Sequence, residues 1–167
     1  GATGMQSSFF EDMVAEVLAL TGEDSPVKVR RVLRNSCMLS SDVSAAYDPL
    51  YPEVFEKKNT AYFGRGLVLN KYTGSRGKNG TSDANAEYVA KVRNVFDNNH
   101  VAFQTAELGK VDQGGGGTIA YVMANKAMSV IDSGVAVLSM HAPYEVTSKS
   151  DVYEVYRGYK AFLKDMK

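Results

Sequence analysis

GVAVLSMHAPYEVTSKSDVYEVY, residues 134–156, passes from a strand-like apolar run into a helical one. It continues MSVIDS, so residues 128–140 read as a strand or a pair of strands. From residue 150 to 166, Val152, Val155, Tyr156, Tyr159, Phe162 and Leu163 recur at helical spacing, which predicts an amphipathic helix. Between the two, the strand delivers His141, one of two histidines, followed at once by Ala142 and Pro143. A lone histidine at a strand end fits a satisfied structural side chain or a metal ligand, and residue type alone leaves both open.

Upstream the same alternation repeats. Phe10, Met13, Val14, Val17, Leu18 and Leu20 predict a helix over 7–21, with Ser7 or Ser8 at its start and Gly22 as its stop. Ser25 and Pro26 open a second short helix. SCMLSS reads as a short buried strand ending at Asp42, and residues 43–65, with Pro49 and Pro52, as loop with one helical turn at most. GLVLNKY and HVAFQTAEL are predicted strands, DANAEYVAKVRNVFD a helix, and TIAYVMANKA a helix opened by Thr118. TGSRGKNGTS and GKVDQGGGG read as loops. Strands alternating with helices predict an α/β fold: a three-layer sandwich of a largely parallel mixed sheet with helices on both faces. There is no internal repeat and no linker.

Composition narrows the function classes. A chain of 167 residues suits one domain, burying about two thirds of its unfolded surface. Nineteen basic residues balance nineteen acidic ones, so no overall field attracts nucleic acid or an anionic membrane. No apolar run approaches the ~18 residues of a membrane span. Cys37 is alone, which excludes an internal disulfide and suits a cytoplasmic protein; in CMLSS it reads as an inert, buried thiol. The opening GATGMQSSFF has no initiator methionine and reads as the middle of a domain.

Asp42 and His141 both fall just past the carboxyl end of a predicted strand, where open α/β sheets hold their ligands. That makes them candidate metal ligands; the competing reading of Asp42 is a turn cap beside Ser40 and Ser41. VDQGGGGT, residues 111–118, could cradle an anion on backbone N–H groups, but it has neither Walker nor dinucleotide-binding spacing. A tight loop explains it equally well. Lys71, Arg76 and Lys78 fit a solvated loop, with Lys71, at a strand end, the best binding candidate among them. Serine-hydrolase chemistry finds no G-x-S-x-G turn.

Together, GATGMQSSFFE, SSDVSAAYDPLYPEVFE, KYTGSRGKNGTSDANAEYV, AELGKVDQGGGGTIAYVMA and VLSMHAPYEVTSKSDVYEVYRGYKAFL resemble the C-terminal half of the aminopeptidase I / aspartyl aminopeptidase family, closest to its bacterial branch. The resemblance runs in order from Gly1 to the C-terminus. It implies a co-catalytic enzyme with two zinc ions per active site, acting on peptide substrates. Asp42 of SSD and His141 of SMH match the family's metal ligands. The other ligands and the general-base glutamate lie upstream of the segment matching Gly1, so no catalytic residue is expected in this chain. Residues 1–167 then form the C-terminal part of the catalytic domain, without the dimerisation domain, and are expected to be inactive alone. Lys71, Gly116, Gly117 and Thr118 are the candidate substrate-binding residues. The acid-selective members carry a histidine where Ala45 stands and a tyrosine near Gly80, and their substrate lysine aligns with Asn70 or Lys71; a neutral substrate side chain is therefore expected. The family also implies a homo-oligomer. The competing class is a non-enzymatic structural or interaction fragment, with a nucleotide-binding module built on GGGGT the weakest.

Overall fold

The computed structural model describes residues 1–76 and 79–167. In chain order the elements are α1 (Phe9–Leu20), α2 (Pro26–Arg34), β1 (Cys37–Ser41), β2 (Ser44–Ala45), a 3-10 turn at Pro52–Val54, β3 (Leu67–Asn70), β4 (Tyr72–Ser75) and β5 (Asn79–Asp83). There follow α3 (Ala86–Asn98), β6 (Phe103–Ala106), α4 (Ala120–Ala124), β7 (Ser129–Gly134), β8 (Ala136–Leu138), β9 (Val146–Thr147) and α5 (Lys149–Asp165).

Four strands form the main sheet in the order β1-β7-β3-β6. Both flanking pairs, β1 with β7 and β3 with β6, are parallel, while the central β7–β3 pair is antiparallel. The sheet is therefore mixed, as expected, with its one reversal at the centre. Beyond Ser41 and Gly134 the first pair continues. Cys37 faces Ser129 and Ala45 faces Val137 with one unbroken offset, so β2 and β8 prolong the β1–β7 ladder past a kink. Gly134 makes that kink possible. A Cβ there would lie 1.4 Å from the Asp42 carbonyl oxygen, so only glycine lets the two backbones meet.

Alternation along the strands sorts the core. Leu67, Leu69 and Ile131 face α3 and α5, burying Val92, Phe96 and Ala161. Val68 faces the other way, toward Ala46, Ala106 and Ala136 beneath the β2–β8 extension. Val130 packs with Ala120, Val122 and Met123 of α4, where Met5 and Phe10 of the α1 region also rest. Helices thus cover both faces. Asn85 caps α3 by accepting the Tyr88 N–H at 2.7 Å, which accounts for the start of that helix.

The structure corrects three readings. The segment predicted as a glycine-rich loop is the β4–β5 antiparallel hairpin, irregular between Thr73 and Ser75; glycine and serine tolerate a bulge, so composition masked the strands. Gly77 and Lys78 lie outside the described residues. The helix expected from Thr118 begins at Ala120 and runs five residues, too short to act as a dipole-backed anion site. Cys37 is exposed, because it begins an edge strand. The helix expected over 7–21 is α1, and it buries no residue: Leu20 is 88% exposed and Val17 58%.

Candidate metal centre

Asp42 and His141 face one groove. A cavity of about 350 Å³ is lined by both, together with Ala45, Val54, Phe55, Met140 and the loop residues Gly115, Gly116, Gly117 and Thr118. Five of the sequence candidates, Asp42, His141, Gly116, Gly117 and Thr118, therefore share one surface. Lys71 does not line it. Its ammonium pairs with the Asp83 carboxylate across the base of the hairpin, both side chains largely exposed. Asn70, the alternative to Lys71, is buried in the sheet and accepts the Ser44 hydroxyl at 3.1 Å.

The two donors reach the groove by different routes. Asp42 occupies the kink between β1 and β2, opposite Gly134, rather than a free strand end. Its Oδ1 accepts the Val43 N–H at 2.7 Å, which is the turn-cap role, while its other oxygen has no protein partner among the described residues. His141 follows β8 in a turn whose Ser139 and His141 both have left-handed backbone, at φ 58° and 70°. Such conformations are costly for residues other than glycine and persist when neighbours hold them. Here the Glu145 carboxylate accepts the His141 N–H at 2.6 Å and the Ala142 N–H closes on the Ser139 carbonyl. The imidazole makes no hydrogen bond among the described residues, and Glu145 holds the backbone instead.

A carboxylate oxygen and an imidazole, both exposed and uncommitted, are the donor types that zinc takes. No group of three or more potential ligands occurs among the described residues.

Beneath the glycine loop lies a residue that sequence reasoning missed. Asp132, 2% exposed on β7, accepts hydrogen bonds on Oδ2 from Thr118 Oγ1 at 2.9 Å and from Thr73 Oγ1 at 3.0 Å. Its Oδ1 and the facing Ser40 hydroxyl, also buried, make no regular hydrogen bond among the described residues. Burial pushes the carboxyl above its ordinary value of 3.8, against the downward pull of the three hydroxyls, with Asp42 adding repulsion. The available signal was a carboxylate inside the otherwise apolar run SVIDSG.

The loop itself divides in two. A Cβ on Gly115, whose φ is +90°, would meet the Leu108 carbonyl at 2.9 Å, so packing explains that glycine. A Cβ on Gly116 would meet nothing within 4 Å, so packing does not explain that one. A second pocket, about 260 Å³, adjoins the groove at Ala45, Val54, Phe55 and Met140 and extends to Tyr51 and Leu138.

A mixed α/β domain with an open groove at the end of its parallel ladder belongs to the class of folds that bind ligands at that rim. More narrowly, the chain belongs to the aminopeptidase I zinc metalloprotease family, M18, whose pattern matches residues 1–163. It is 61% identical over 165 residues to a probable M18 family aminopeptidase 1 of Clostridium acetobutylicum, covering 99% of this chain and 36% of that protein. The counterpart from Thermotoga maritima is 44% identical over 167 residues, again 99% of this chain, and 37% of that protein is covered. The crystal structures of aminopeptidase I from C. acetobutylicum and of the M18 aminopeptidase from T. maritima superpose with TM-scores of 0.85 and 0.92. Each comparison covers 98% of this chain, at 61% and 44% identity, and 35% and 36% of the other chain. A yeast relative, mApe1, described as a dodecamer, shares the fold at a TM-score of 0.72 and 23% identity over 99% of this chain and 35% of that one. The chain thus spans little more than a third of the length of the curated relatives it matches.

Proposed function

We propose that this chain is the C-terminal part of the catalytic domain of a zinc aminopeptidase, and that Asp42 and His141 each give one ligand to its metal centre. The observation that carries the reading is their meeting, from distant points of the sequence, on one groove floored by the glycine loop. Zinc in the complete site supplies Lewis acidity and a water activated near neutral pH, and the family resemblance favours two ions. Asp42 presents its uncommitted oxygen from the kink, and Glu145 holds the turn that presents the His141 ring. Gly116, Gly117 and Thr118 line the same groove and can meet a peptide backbone; Lys71, paired with Asp83 outside it, is the weakest of the substrate-binding candidates.

The adjoining pocket takes the side chain of the terminal residue. Its Val54, Phe55, Leu138 and Met140 walls favour an apolar group, and Ala45 contributes no cation for an acidic one. Hydrolysis of leucyl against aspartyl chromogenic substrates by the whole protein tests this, and an aspartyl preference refutes it. The complete enzyme is read as a cytoplasmic homo-oligomer, in keeping with the single cysteine and the dodecameric yeast relative.

His141→Ala in the whole protein should lose zinc at one position and most activity. Unchanged zinc content and turnover would overturn the assignment. One observation favours the rival reading for the isolated chain, a structural fragment without activity: no group of three or more potential ligands among the described residues. Assay of the 167-residue chain with added zinc should show no peptidase activity, and robust turnover would show that the chain suffices.

A further inference from the structure

We propose that Asp132 is a positioning residue: through Thr118 and Thr73 it fixes the groove-lining end of the glycine loop, and so sets the affinity for the peptide backbone without touching the metal centre. The proposal rests on the aminopeptidase reading of the groove.

The geometry carries it. Asp132 stands buried on β7 between Ser40 of β1 and Asn70 of β3. Its Oδ2 gathers two hydroxyls from separate elements, Thr73 on the hairpin and Thr118 at the end of the loop. Those hydroxyls are 3.3 Å from each other, and Thr118 Oγ1 also accepts the Ala120 N–H at 3.2 Å. Loop, hairpin and α4 are therefore tied to one oxygen atom. Thr118 and its neighbours Gly116 and Gly117 line the groove, whereas Asp132 does not. Nor does packing require a glycine at position 116, where an added Cβ would meet nothing within 4 Å. A buried carboxyl is a costly way to tie three surface elements together where apolar side chains would serve, so placement of the loop, rather than stability, is the property it serves.

The chemistry of the site also specifies which replacement should work. An asparagine amide keeps an acceptor oxygen for both threonines and turns an N–H₂ toward the facing Ser40 hydroxyl. An alanine keeps neither.

The test measures kcat, KM and zinc content for a leucyl peptide, using the whole protein. Removing the tie in Asp132→Ala or Thr73→Val should raise KM about tenfold, the worth of one lost hydrogen bond of about 1.4 kcal/mol, with kcat and zinc content unchanged. Asp132→Asn should restore KM to within about threefold of the wild type, and the Asp132→Ala/Thr73→Val double variant should be no worse than either single one. A residue serving stability alone would lower kcat through the active fraction and leave KM unmoved, and that result overturns the proposal. So does an Asp132→Asn enzyme as impaired as Asp132→Ala. Should Asp132→Ala fail to fold, Thr73→Val, which removes a hydroxyl from Asp132 Oδ2 at a residue that does not line the groove, decides alone. A wild-type protein without aminopeptidase activity overturns the functional reading and this one with it; an active wild type with unmoved KM in Thr73→Val overturns this one only.

Discussion

Asp132 and His141 lie nine positions apart on one run of chain, yet they are opposite kinds of site. Asp132 is enclosed, and two hydroxyls already satisfy its Oδ2. His141 is exposed, its backbone gripped by Glu145 and its ring unengaged. A polar group that has found its partners inside the protein holds structure; one whose backbone is held while its side chain stays open is prepared for something else. Asp42 combines both, with one oxygen on the Val43 N–H and the other uncommitted.

The sharpest way to break this comparison is to remove the open donor. His141→Ala in the whole protein should cost more activity than the roughly 10- to 100-fold typical of losing a partner that only orients a ligand, with zinc content falling in parallel. Glu145→Ala, which frees the strained turn but keeps the imidazole, should fall within that range of about 10- to 100-fold; metal titration distinguishes the two.

Gly134→Ala attacks the frame that brings the donors together. Its methyl group would collide with the Asp42 carbonyl, so unfolding in urea should show a loss of about 3 kcal/mol.

At Asp132 the comparison can be sharpened by pH. Its carboxyl is raised by burial, so above its unfolded value near 3.8 the folded protein holds this proton more firmly than the unfolded chain does. The unfolded state then binds fewer protons, and this group's contribution to stability declines as pH rises from 3.8 toward the raised folded value. Asp132→Asn should abolish that decline, read as a flatter dependence of urea midpoint on pH. The smallest effect is expected at Lys71: its exposed pair with Asp83 should contribute less than about 1 kcal/mol, so Lys71→Ala should leave the melting temperature nearly unchanged.

Much of this was readable from the chain. The apolar periods of residues 83–97 and 150–166 gave α3 and α5 to within a few residues, because both helices bury a continuous stripe against β3 and β7. The same kind of period over 7–21 gave α1, but not its environment: spacing reports that a face is apolar and not what covers it. The hairpin was illegible because Thr73, Gly74 and Ser75 have turn-like letters, and the pairing of Thr73 with Ser82 and of Ser75 with Asn79 is set by register rather than by residue type. Asp42 and His141 were legible as candidates near strand ends; the structure puts Asp42 in a kink of the ladder and brings both to one groove. Asp132 was not, since its meaning lies in two threonines 14 and 59 positions away.

The unbroken ladder joining Cys37–Ser41 to Ser129–Gly134 has a consequence for how the protein is made. As the polypeptide leaves the ribosome, the segment bearing Asp42 has no strand partner until residues 129–134 have been made, while the β3–β6 pair and α3 can close first. The rim that carries Asp42 and His141 therefore takes shape only after the β3–β6 half of the sheet, so anything the groove binds meets it late in the folding of this segment.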